Sequence, residues 1–133
     1  MKKFNLEIIT PSKSVFNDSV VSATFPGTLG EFQVLFNHAD LMSVIEIGRL
    51  RIEKDGETLL YATSGGTVEV KNNKVLFLAE TIEESSLIDL ERAKRALERA
   101  QDRLRSENRS EVDFSRAEAA LQRALNRIKV VEN

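Results

Sequence analysis

Near residue 80 the spacing of apolar residues changes. Before it, short segments alternate apolar and polar side chains; after it, apolar residues recur every third or fourth position. A period of two belongs to a half-buried strand and a period near 3.6 to an amphipathic helix. No single regular element satisfies both, so the chain must be a β region followed by an α region.

In the first part, Phe4-Asn5-Leu6-Glu7-Ile8 and Thr67-Val68-Glu69-Val70-Lys71 alternate cleanly. Residues 20–25, 31–35, 49–53, 58–62 and 75–78 are short and rich in β-branched and aromatic residues. Turn chemistry separates them at Pro26-Gly27, Lys54-Asp55-Gly56-Glu57, Gly65-Gly66 and Lys71-Asn72-Asn73-Lys74. Short strands at this spacing predict an antiparallel β-sandwich or barrel over residues 1–84.

Residues 85–133 predict an antiparallel two-helix hairpin, making the chain α+β. Ser86 followed by Asp89 outlines a capping box. The first helix carries Leu90, Ala93, Leu97, Ala100 and Leu104 on one stripe and ends near Ser106. Residues 107–112 read as the turn. The second helix starts near Asp113, taken as its N-cap, and runs to about Val131. Phe114, Ala117, Leu121, Ala124, Ile128 and Val131 form its apolar seam. Alanine lets helices approach closely but buries little area, so this hairpin should be weakly self-stabilised and a candidate moving part.

Charge separates the two regions further. Of the eleven arginines, nine lie beyond residue 86, giving that tail +2 while the remainder carries −4. The imbalance is too small for a general nucleic-acid binder. Arg92, Arg95, Arg99 and Arg103 make one stripe on the first helix, and Arg116, Arg123 and Arg127 share a face of the second. Ion pairs such as Glu91–Arg95 and Asp89–Arg92 would make the stripe a solvated helix face. Two converging arginine rows instead suit an anion between them, because guanidinium forks match phosphate oxygens. A polyphosphate ligand or an acidic protein surface would fit.

Catalytic signatures are scarce. His38 has no cysteine or second histidine with which to share a metal, and reads as a structural or interface residue. Ser64-Gly65-Gly66-Thr67 has neither nucleophile-elbow nor P-loop order and reads as a tight turn. Asn17-Asp18-Ser19 and Asn108-Arg109-Ser110 match the glycosylation pattern, with nothing else pointing to secretion. The absence of cysteine excludes a disulfide framework, and no apolar run is long enough for a signal peptide or membrane span.

Four segments together resemble the epsilon subunit family of bacterial F-type ATP synthases: GEFQVLFNHADL (30–41), SGGTVEV (64–70), IDLERA (88–93) and VDFSRAEAALQRALNRI (112–128). The resemblance spans nearly the whole chain. It implies a non-catalytic rotor subunit of the proton-translocating synthase, peripheral on the cytoplasmic face of the bacterial inner membrane. The implied partners are the gamma subunit, the c-ring and, in an inhibitory state, the catalytic alpha and beta subunits. The membrane is reached only through the complex, and no nucleic acid or metal site is implied. The hairpin would be a movable regulatory arm, with ATP as the ligand that latches its folded state. Carried onto this chain, the ATP site comprises Glu83, Ile88, Asp89, Arg92, Ala93, Arg99, Arg123 and Arg127. Glu31 and His38 fall in the segment that faces the c-ring. One departure lies at Gln33-Val34-Leu35-Phe36-Asn37-His38-Ala39-Asp40, where two prolines and two glycines of the family pattern are missing. A purely inhibitory arm without ATP binding, or a free-standing nucleotide-binding module, are the alternative readings.

Overall fold

The computed structural model describes residues 2–106 and 110–132. The chain divides into two compact units, Met1–Glu84 and Ser85–Asn133.

The first unit contains ten strands: β1 (Phe4–Ile9), β2 (Ser14–Val20), β3 (Ser22–Gly27), β4 (Gly30–Val34), β5 (Leu41–Ile45), β6 (Gly48–Lys54), β7 (Glu57–Thr63), β8 (Gly66–Lys71), β9 (Lys74–Ala79) and β10 (Ile82–Glu84). They form one curled sheet in the order β10-β7-β6-β3-β5-β8-β9-β1-β2, with β4 paired to β3. All pairs are antiparallel except β1 with β9. The period-two pattern explains the core. Phe4, Leu6 and Ile8 on β1 point inward, as do Val68 and Val70 on β8 and Val75 and Phe77 on β9. Phe25 sits at the centre, stacked on Phe32 at 5.6 Å and edge-on to Phe77 at 5.5 Å between ring centroids.

Two expected turns are present. Asp55 and Gly56 (φ 49° and 80°) close β6–β7, and Asn72 and Asn73 (φ 50° and 58°) close β8–β9. Both positive values at the two central positions suit the twist of a hairpin. The Pro26-Gly27 turn is displaced: both residues end β3, and the chain reverses at Thr28-Leu29. Three strands escaped the pattern. β2 is an edge strand bonded only to β1, so its Asn17-Asp18-Ser19 segment faces solvent and carries no alternation. β5 is apolar on both faces, and β10 is only three residues long.

The β6–β7 turn is tied down by ion pairs. Lys54 pairs with Asp18 of β2, and Lys3 with Asp55 at 2.8 Å. The Lys54 hydrogen bond, then the Ser19 N–H, holds the Asp18 carboxyl below the ordinary carboxylate range; Lys3 does the same for Asp55. Asp18 in turn raises the Lys54 ammonium. Carboxylates lowered by folding stabilise the fold above their unfolded value near 3.9 and lose that effect as pH falls through the folded one. Lys54, raised, stabilises below about 10.4 and loses its effect at higher pH. The unfolding midpoint should therefore be level around neutrality and drop at both extremes. The acid drop should be shallower in Asp18→Asn and Asp55→Asn when thermal melts are run across pH, and the difference should shrink in high salt.

The second unit opens with a 3₁₀ turn, Ser85–Leu87, followed by α1 (Leu90–Arg105) and α2 (Glu111–Glu132). Their caps lie three residues earlier or later than expected. Asp89, not Ser86, caps α1: its carboxylate accepts the Arg92 N–H at 3.1 Å, because residues 85–87 are already taken up by the 3₁₀ turn. Ser110, not Asp113, caps α2, its hydroxyl accepting the Asp113 N–H at 3.2 Å. Serine reaches that donor as well as aspartate would, and helix formation gains a further turn. Residues 107–109 of the expected connection, and with them Asn108 and Arg109 of the glycosylation pattern, lie outside the described residues.

Ala93 and Ala100 of α1 and Ala117 and Ala124 of α2 are buried in the seam between the helices. Two expected seam positions differ. Phe114 is 39% exposed in the first turn of α2, where the facing helix is ending. Val130 rather than Val131 is buried; it lies roughly 150° from the seam at 100° per residue, so the last turn of α2 is covered from a second direction.

Candidate functional site

The arginines depend on the helix period and on the direction of the two helices. On α1, Arg92, Arg95, Arg99 and Arg103 are exposed. On α2, Arg116 and Arg123 are exposed and Arg127 is half-buried. In each helix the buried alanine seam follows the arginine stripe by roughly 110–130° in the N-to-C sense. Because the helices are antiparallel, equal offsets in that sense bring both stripes out on the same side of the hairpin. The opposite side holds Glu91, Glu98 and Glu118 with Lys94 and Lys129. The hairpin is therefore electrically two-faced although the whole chain is nearly neutral.

The expected Glu91–Arg95 and Asp89–Arg92 ion pairs do not form; among the described residues the ion pair on α1 is Arg105–Asp102, at 3.4 Å. Asp89 instead spends its carboxylate on the helix cap, which fixes the first turn of α1 and with it the direction of Arg92. Ile88 is half-buried, its N–H donating to the Ser85 carbonyl at 3.3 Å. Ala93 is 2% exposed and belongs to the seam. Within this unit the structure brings Arg92 and Arg99 to the same side as Arg123 and Arg127, which the one-dimensional spacing only suggested.

Glu83 belongs to the other unit. It lies half-buried on β10 opposite Ala62 of β7, beside Glu84, which faces Tyr61. Burial, then the nearby Glu84 charge, pushes the Tyr61 phenol up.

Glu31 is exposed on β4 opposite Pro26, and His38 is half-buried in the β4–β5 connection. His38 Nδ1 lies 2.7 Å from the Ala39 carbonyl. A carbonyl only accepts, so this nitrogen carries the proton. Three residues of the same stretch were not singled out by sequence: Leu29, Met42 and Val44, exposed at 103%, 76% and 56%. The Thr28 N–H donates to the Val44 carbonyl at 3.1 Å, which brings the β3–β4 tip beside β5. With the Gly27–Ile45 pairing and the Glu46 N–H donating to the Pro26 carbonyl at 2.9 Å, this bond sets the segments carrying these residues side by side. The outer face of β1, β8 and β9 also carries an open groove of about 380 Å³, lined by Asn5, Glu7, Glu69, Lys71 and Lys74; it contains none of the expected site residues. Among the described residues no cluster of three or more histidine, aspartate or glutamate side chains could hold a metal ion, and no helix is long and apolar enough to cross a membrane.

A curled sheet followed by an arginine-faced helical hairpin defines a two-unit, β-then-α class of protein. The delta/epsilon chain of ATP synthase has that order: its beta-sandwich domain matches residues 3–85 and its long alpha-helix domain matches residues 87–132. The chain belongs to this ATP synthase delta/epsilon family. The ATP synthase epsilon chain of Desulforamulus reducens is 44% identical over 105 residues, covering 79% of this chain and 80% of that one. The epsilon chain of Carboxydothermus hydrogenoformans is 47% identical over 102 residues, covering 77% and 76%. In fold, the chain resembles a subunit of the Euglena gracilis mitochondrial ATP synthase (OSCP/F1/c-ring), with a TM-score of 0.80 and 24% identity over 90% of this chain and 76% of that one.

Proposed function

We propose that the chain is a non-catalytic central-stalk subunit of a proton-translocating ATP synthase, with residues 1–84 as its c-ring-docking unit and residues 85–133 as a regulatory arm that ATP stabilises in its folded state. Gamma and the c-ring are the standing partners, the alpha and beta subunits the partners of the inhibitory state, and the cytoplasmic face of the bacterial inner membrane the location. Family membership across both units supports the stalk assignment.

On the sheet unit, Leu29, Met42 and Val44 supply apolar contact area, and Glu31 and His38 the polar groups, for docking on the c-ring. Exposed apolar side chains gathered on neighbouring elements are the usual mark of an interaction surface.

The common arginine face of the hairpin is the observation that carries the nucleotide reading. Arg92, Arg99, Arg123 and Arg127 would grip the phosphates; Ile88, Asp89 and Ala93, near the start of α1, and Glu83, on the sheet unit, are the further residues that the family resemblance implies. Arg92 to Arg103 spans roughly 16 Å at 1.5 Å per residue, longer than one triphosphate. That length favours a second use of the same face, in which the arginines meet an acidic surface on the catalytic subunits when the arm extends.

A ligand bound only by the folded arm stabilises it by RT ln(1 + [L]/Kd), about 2.7 kcal/mol at a hundredfold excess over Kd. Adding ATP to the isolated chain is expected to raise the unfolding midpoint of the helical unit. Arg92→Ala and Arg123→Ala should abolish that rise while leaving the nucleotide-free midpoint nearly unchanged, since both side chains are exposed. No rise up to several millimolar ATP would reject the latch and leave the inhibitory arm standing alone.

A further inference from the structure

The β4–β5 connection, residues 35–40, contains neither proline nor glycine. It nevertheless holds a left-handed residue, Asn37, at φ 62°. On the β8–β9 turn, Asn73 is left-handed as well, at φ 58°. The two are bonded twice. The Asn37 N–H donates to Asn73 Oδ1 at 2.6 Å, and Asn73 Nδ2 donates to Asn37 Oδ1 at 3.0 Å. The direction of this pair follows from chemistry. A backbone N–H only donates, so the atom facing it is the amide oxygen, which leaves the Asn73 NH₂ for Asn37. Asn73 is itself anchored, its carbonyl accepting the Asn5 N–H at 3.0 Å. Within the loop, the His38 N–H donates to the Leu35 carbonyl at 3.1 Å, so the turn that Asn37 occupies also carries His38.

We infer that the Asn37–Asn73 amide pair is a strap that sets the shape of the 35–40 loop and thereby positions His38 for docking; this rests on the reading of the sheet unit as the c-ring-docking surface. The strap does locally what proline and glycine do by restricting or widening φ: it selects one loop conformation. It does so through a bond to a sheet hairpin, so the loop is referenced to the rigid part of the unit. Asn37 and Asn73 are positioning residues and need not touch the partner.

The pair is directional, which gives an unusually selective test. Asn37→Asp keeps an acceptor for the Asn73 NH₂, and the strap survives. Asn73→Gly removes both the acceptor for the Asn37 N–H and the donor to Asn37 Oδ1, so both bonds are lost. Glycine at φ 58° keeps the β8–β9 turn, and aspartate at Asn37 tolerates the left-handed conformation. Asn73→Gly therefore cuts the strap without breaking the turn, and Asn37→Asp keeps it.

The full-length chain would be followed by amide exchange at Asn37, by thermal melting, and by affinity for ATP synthase complexes stripped of this subunit. In Asn73→Gly, exchange at the Asn37 amide is expected to be about tenfold faster than in the wild type. Its affinity for the stripped complex should fall severalfold, with the unfolding midpoint shifted little. Asn37→Asp should match the wild type in exchange and affinity. Unchanged exchange in Asn73→Gly, or faster exchange with unchanged affinity, would overturn the strap. Leu29→Asp separates this from the parent reading. Lowered affinity in Leu29→Asp alone counts against the strap, whereas unchanged affinity in both variants counts against the docking surface itself.

Discussion

Gly66→Ala is expected to cost the sheet unit about 3–5 kcal/mol, enough to leave it largely unfolded, while Gly56→Ala should cost only about 1 kcal/mol. Both glycines have positive φ, +149° and +80°. They differ in what a methyl group would meet. A Cβ on Gly56 would have nothing within 4 Å. A Cβ on Gly66 would lie 2.0 Å from the Leu78 carbonyl oxygen and 3.0 Å from the Ala79 Cα, both backbone atoms of the neighbouring β9. Backbone held in a sheet ladder cannot swing aside as a side chain can. Gly66 is paired directly with Ala79 and also with Ile45 of β5, so relief of the clash would break the ladder on two sides. Gly65 is nearly as constrained, its Cβ falling 2.7 Å from the Ile45 carbonyl oxygen at φ +114°. The surrounding polar groups keep this crossing fixed: Thr63 Oγ1 accepts the Gly65 N–H at 3.1 Å and donates to the Thr81 carbonyl at 2.9 Å. Denaturant melts of the two variants measure the difference. Equal, small losses would show that β9 gives way and that the close approach does not matter.

That result bears on how far such a chain can be read in one dimension. Glycines at Gly65-Gly66 announce positive φ, but β7 and β8 are not paired, so the segment is a crossing between distant strands and not the expected tight turn. Its clash with Leu78 is invisible, because it depends on which strand lies next door. The same division recurs elsewhere. β1 and β8 are legible because one face is buried and one is wet; β5 is not, because Leu41, Met42, Val44 and Ile45 put apolar groups on both faces. The arginine stripes are legible because a helix period needs only the sequence. Their emergence on one side needs the antiparallel direction as well. The approach of the β3–β4 tip to β5 could not be anticipated, since the Thr28–Val44 backbone bond joins residues 16 apart in the chain. The caps at Asp89 and Ser110 were misplaced for a different reason. Ser, Asp and Asn are interchangeable at that position, and several stood close together.

Amide exchange in the hairpin is expected to run about 10²–10³-fold faster than in the sheet core under conditions where both units are folded. The sheet buries Phe25, Phe77, Leu6, Ile8, Leu50 and Ile52 completely, and its amides on β1 and β9 are locked between neighbours on both sides. Among the described residues, the buried side chains of the hairpin are four alanines and Val130. At about 25 cal/mol per Å² an alanine methyl contributes far less than a leucine or phenylalanine side chain. Helices of this length are marginal without tertiary support, so their amides should open in local excursions that the sheet does not share. Exchange measured residue by residue would show two plateaus of protection, with α1 and α2 on the lower. A single plateau, both units exchanging together at the global rate, would rule out an independently opening arm. Nucleotide sharpens the test. If the arginine face grips ATP, saturating ATP slows exchange in α1 and α2 by the factor 1 + [L]/Kd while β1 and β9 stay as they were. A low-stability arm is what permits this: a ligand worth about 2–3 kcal/mol shifts a marginal equilibrium decisively and a stable one hardly at all. On the proposed latch the alanine seam and the arginine face would be complementary parts of one device, the first leaving the arm able to open and the second letting an anion decide whether it does.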